Sequence, residues 1–178
     1  MKTILVAVTA FVAVAAFAQA PGTGMKIEHY DVRGTSWGAL ISEVNAKGPE
    51  GWWGHADTKI SYKFRSRGTA SSCVIESATV TVDSTVHLPR WTNRDEGSAA
   101  LQSQWDAMLG SLQRHERGHV QISLDSAHEL EQALKNVPEQ ATCDALNALA
   151  RQQAERILAE HSQKQDAYDI RTDHGRRQ

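Results

Sequence analysis

The longest regular pattern of apolar positions lies in the second half of the chain. Trp105, Leu109, Leu112, His119, Ile122, Ala127, Leu130 and Leu134 recur at roughly helical spacing. This predicts a helix from about Ser98 to Lys135, broken by Asn136 and Pro138. A second helical pattern runs from about Pro138 to Gln165, with Leu146, Leu149, Ala150 and Ile157 on one side. The short break between the two predicts an antiparallel helical hairpin. Upstream the period changes to two. Ile60, Tyr62 and Phe64 alternate with Ser61, Lys63 and Arg65, and Val74, Ala78, Val80, Val82 and Val86 continue the pattern beyond a polar loop. Two strands are expected, the second long and bulged, ending at Leu88-Pro89-Arg90-Trp91. A weaker alternation from Met25 to Gly34 predicts a further strand. Thr35 or Ser36 then caps a short helix through Trp37, Leu40, Ile41 and Val44, which Gly48-Pro49 stops. The expected fold class is α+β, a small antiparallel sheet packed against a long antiparallel helical hairpin.

The first residues change the picture of where the protein works. Met1-Lys2-Thr3 precedes an apolar run from Ile4 to Ala18, too short for a bilayer span and shaped like a secretory signal peptide. Ala16-Phe17-Ala18 makes the better cleavage box, so residues 1–18 are expected to be removed and 19–178 to form one domain. That domain is expected to be secreted or periplasmic, with no stable membrane anchor after cleavage. Its two cysteines, Cys73 and Cys143, then suggest one disulfide closing a loop of about 70 residues, worth up to about 4 kcal/mol on the chain-entropy model. The net charge of −2, without a basic block, leaves no electrostatic footprint for nucleic acid. Trp52-Trp53 can line a groove, but one ring packing on the core while the other covers a loop is the commoner arrangement.

The candidate chemistry sits inside the long apolar stripe. His115-Glu116-Arg117-Gly118-His119 reads His-Glu-x-x-His. On a helix, residues four apart share a face, so both imidazoles can converge on one metal ion. Glu116 lies beside them, where it can act as a general base on an activated water. Two histidines and a glutamate within a buried stripe require such an explanation, because unpaired polar groups there are costly.

A catalytic zinc takes three protein ligands and one open position. His115, Glu116 and His119, with Leu88-Pro89-Arg90-Trp91 upstream and Tyr168-Asp169-x-x-Thr172-x-His174-Gly175 downstream, resemble a bacterial family of predicted secreted zinc-dependent proteases, known as a domain of unknown function. The resemblance runs from about Tyr30 to Gly175. It implies a zincin-like fold, Zn2+ as cofactor and a peptide or protein substrate. For the third ligand, Asp125 occupies the metzincin position, but Ile122 stands where that arrangement needs a helix-breaking glycine. Glu160, from the second helix, would give a gluzincin-like site. His174, in the last segment, which does not read as helical, can fold back over the metal, and the resemblance favours it. Tyr168 is expected to donate to a developing oxyanion, and Asp169 or Asp173 to hold the outer nitrogen of a ligating histidine. The function so implied is a zinc peptidase, with His115, His119 and His174 on the metal. Its rivals are a non-catalytic zinc-binding envelope protein and a metal-free interaction domain. Oligomeric state is not encoded in any of these patterns.

Overall fold

The computed structural model of the chain describes residues 22–175; the segment expected to be a signal peptide lies outside them. Strand β1 (Gly22–Val32) leads into helix α1 (Trp37–Lys47), then strands β2 (His55–Gly68) and β3 (Cys73–Trp91), and finally helices α2 (Ala99–Lys135) and α3 (Cys143–Thr172). The fold is α+β, with a three-stranded sheet in the order β1-β3-β2.

The sheet is mixed, which corrects the expectation of an antiparallel one. β2 pairs with β3 antiparallel across a short loop, but β1 pairs with β3 in parallel. A parallel partner needs a long crossover, and α1 together with β2 supplies it. The expected bulge is in β3: Arg65 faces Ser77 while Ser66 faces Ile75, leaving Glu76 as the extra residue. From Ala78 to Leu88, alternate β3 side chains are buried. Ala78, Val80 and Val82 join Ala127, Leu130 and Leu134 of α2 and Leu146, Ala150, Ala154 and Ile157 of α3 in the largest apolar cluster. A second cluster gathers Val32, Leu40, Val44, Trp91, Leu101 and Trp105.

Side-chain oxygens cap all three helices, as polar N-caps do. Ser36 accepts from Ala39 N–H, Ser98 from Leu101 N–H and Thr142 from Ala145 N–H. Helix α3 starts later than Pro138 because the intervening chain is used otherwise. Gln140 exchanges two backbone hydrogen bonds with Cys73, at 2.7 and 3.0 Å. The Cys73–Cys143 disulfide is formed at the same place. Helix α3 also continues past Gln165, making the Tyr168–Thr172 segment helical, until Asp173 adopts a left-handed conformation. Along the two long helices, Ser123 meets His161, His119 meets Gln165 and His115 meets Thr172. No described helix is long and apolar enough to cross a membrane.

Candidate metal centre

The middle of α2 presents His115 and His119 one turn apart, with their Nε2 atoms 3.1 Å from each other. Because α3 remains helical, it carries Asp169 to the same point. Asp169 Oδ1 lies 3.1 Å from His115 Nε2 and 3.0 Å from His119 Nε2. Among the described residues these three form the group that converges closely enough to hold a metal ion. Zinc bonds of about 2.0–2.1 Å in a tetrahedron separate neighbouring donors by about 3.3 Å. The observed triangle therefore has the shape of one tetrahedral face, drawn in by a few tenths of an ångström. Two imidazoles and a carboxylate are a donor set that zinc accepts.

The remaining predicted residues are placed unequally. Glu116 is 3% exposed and lines a cavity of about 790 Å³ shared with His115, His119 and Asp169. Burial pushes its carboxyl up to about 7; the nearby Asp169 charge adds to this and the Ala56 backbone N–H opposes it. Gly54 makes this approach possible. A Cβ there would lie 2.8 Å from Glu116 Oε1 and 2.7 Å from Leu112 Cγ. The pKa of His115 is lowered, first by burial and then by His119, with Asp169 opposing.

His174, expected at the third corner, lines the same cavity beside the triangle. Its ring stacks on Trp52 at a centroid distance of 4.7 Å, its side chain is 47% exposed, and its Nδ1 is 3.6 Å from Asp169 Oδ1. The cause is the length of α3. The helix presents Asp169 inward, while His174 falls beyond the cap in a left-handed turn with Asp173 and Gly175. Gly175 is required there: its φ is +82°, and a Cβ would come within 3.1 Å of the His115 side chain. Its carbonyl accepts from Ser111 Oγ at 3.0 Å.

Tyr168, expected to face an oxyanion, stands against the two imidazoles and is not among the residues lining the cavity. Its ring stacks on His115 at 5.1 Å and meets His119 edge-on at 5.0 Å. Its hydroxyl lies over Gly118, where any Cβ would overlap it. Glu160 pairs with Arg156 at 2.7 Å, and Asp125 is exposed and accepts from Gln121. Trp53 is held by Asn45, while Trp52 is exposed at the cavity.

From the sequence Asp169 is expected behind a histidine, not beside both Nε2 atoms, and Gln165, Thr172 and His161 are given no role at the site. Their signal was present. Residues 161, 165, 169 and 172 are spaced four, four and three apart, one face of a helix. Reading the segment after Gln165 as non-helical hid that face. His161 is half-buried and bonded to Ser123 and Gln165, each at 3.0 Å.

A family model described as a bacterial protein of unknown function (DUF922) matches residues 27–175, a span that includes every residue of the centre. No curated protein and no solved structure matches the chain.

Proposed function

The chain belongs to this bacterial family, DUF922, whose description assigns no activity, and from its own residues we propose a secreted or periplasmic zinc-dependent peptidase. The observation that carries the reading is the convergence of His115, His119 and Asp169 on one point, with Glu116 buried beside them on the cavity wall. His115, His119 and Asp169 would hold the ion. Bound zinc would supply the positive charge that polarises a scissile carbonyl and acidifies a water.

Glu116 has the position and the proton affinity of a general base. A carboxyl held at about 7 can take a proton from the attacking water and return it to the leaving amine nitrogen at neutral pH. The Ala56 N–H orients that carboxylate. A peptide substrate is supported by β2, which among the described residues has a sheet neighbour on one side only and whose residues His55–Thr58 line the cavity. Backbone groups on such an edge can hold an extended chain. A zincin-like architecture fits the same picture: a motif helix between a small sheet and a second helix that brings the third ligand. Formation of the Cys73–Cys143 disulfide fits an oxidising compartment.

Metal analysis of the purified full chain, paired with peptidase assays of wild type and Glu116→Gln, tests the proposal. One zinc per chain in both proteins and hydrolysis lost by at least a hundredfold in Glu116→Gln is the expected result. Zinc in both with no hydrolysis by either would indicate a metal-binding protein without this catalysis. Absence of any metal affinity would defeat the reading altogether.

A further inference from the structure

The proposed ligands are themselves held by hydrogen bonds on their outer nitrogens, and the neighbouring groups assign the direction of each. Gln165 Nε2 lies 3.1 Å from the His119 carbonyl oxygen and 3.0 Å from Ser123 Oγ. A carbonyl only accepts, so the amide NH2 must face it. Gln165 Oε1 therefore faces His119 Nδ1, at 2.6 Å. Because an amide oxygen also only accepts, Nδ1 must carry the proton. Ser123 in turn is tied to Thr58 Oγ1 at 2.8 Å, so the amide cannot flip without breaking several bonds.

His115 is treated the same way by a different group. Thr172 Oγ1 donates to the Tyr168 carbonyl at 2.7 Å, which leaves its lone pairs toward His115 Nδ1 at 3.2 Å. With the single hydroxyl proton on the shorter of these two bonds, His115 Nδ1 carries the proton of the other. While the rings are neutral, both Nε2 atoms then point lone pairs at each other and at Asp169 Oδ1, three acceptors with no donor among them. In place of the expected carboxylate, the outer nitrogens face a neutral amide and a hydroxyl.

We propose that Gln165 and Thr172 are positioning residues that fix both imidazoles in the Nδ1–H tautomer and so hold the centre ready for a cation before one arrives. The metal-affinity part of this inference rests on the proposed zinc site; the tautomer part does not.

The test uses the full chain labelled with 15N-histidine, stripped of metal, at a pH where the rings are neutral. Long-range proton–nitrogen correlation reads the tautomer of each ring, assigned with His115→Ala and His119→Ala. Protons on Nδ1 of both rings are expected, against the Nε2–H form that free imidazole side chains favour. An Nε2 proton on either ring overturns the proposal for its partner, whatever the protein does with zinc. Zinc affinity, measured by competition with a chromophoric chelator, should fall about tenfold to a hundredfold in Gln165→Leu and in Thr172→Val. Thr172→Ser retains the acceptor and should restore both tautomer and affinity, whereas Gln165→Glu keeps an acceptor for His119 Nδ1 but loses the donor to the His119 carbonyl and should restore the tautomer alone. Equal loss of affinity in Thr172→Ser and Thr172→Val, or an unchanged tautomer in Gln165→Leu, would reduce the residue concerned to packing. If the wild-type chain binds no zinc while both rings carry Nδ1 protons, the enzyme reading falls and the tautomer assignment stands.

Discussion

Helices α2 and α3 meet in two different ways along one interface. In the half near the disulfide, Ala127, Leu130 and Leu134 face Leu146, Ala150, Ala154 and Ile157, all at most 1% exposed. In the other half, His115, His119 and Ser123 face His161, Gln165, Asp169 and Thr172 through hydrogen bonds. Apolar contact is non-directional and scales with area removed from water. Hydrogen bonding between buried groups adds little net stability when complete and costs much when incomplete. The first half therefore holds the helices together, and the second half uses that hold to set angles and distances. Stability and chemistry are separated along one pair of helices rather than between domains.

Substitutions at the two ends should accordingly move different observables. Leu130→Ala opens a void in the apolar half and should cost about 2–5 kcal/mol in denaturant unfolding. Metal stoichiometry of the molecules that remain folded should be unchanged; its loss would mean the two halves are not separable. Removing the disulfide with Cys73→Ser and Cys143→Ser together should cost about 2–4 kcal/mol, because the unfolded chain regains the freedom of a loop of 70 residues. Zinc affinity should change by less than threefold.

The polar half should show the opposite sign. Glu116 keeps its proton in the fold up to about pH 7, whereas in the unfolded chain it releases it near 4.5. Between those values the unfolded state binds fewer protons, so stability falls as pH rises. The loss should total about 3 kcal/mol at about 1.4 kcal/mol per pH unit. Glu116→Gln should thus stabilise the metal-free protein at pH 7.5 and leave it unchanged at pH 4. His115, with its pKa lowered by burial, works the other way, removing stability as pH falls below about 6.5. The difference between wild type and Glu116→Gln isolates the glutamate. Identical pH profiles would show that its burial is relieved in solution.

The two halves were also unequally legible. Leu130, Leu134, Leu146 and Ile157 announced themselves through helical periodicity, and the cysteine pair followed from their number together with the signal peptide expected at residues 1–18. His115, Glu116 and His119 were visible because one helix carries all three. Asp169 was legible only as a partner of an outer ring nitrogen, because its place beside both Nε2 atoms depends on where α3 ends. Asp173 and His174 both adopt left-handed conformations, with φ of 50°, that their residue types do not announce. The parallel pairing of β1 was equally hidden: it depends on how α1 carries the chain back to the start of the sheet, which local alternation does not encode.

The extension of α3 to Thr172 has one further consequence. Gln165, Asp169 and Thr172 belong to a single rigid rod, together with the apolar residues that seat it. A slip of that rod by one residue would move each of them about 1.5 Å along and 100° around its axis. All three would leave the imidazoles in the same instant. The centre therefore has no half-assembled form reached by sliding; it behaves as a latch, closed only when the helix is seated in one register.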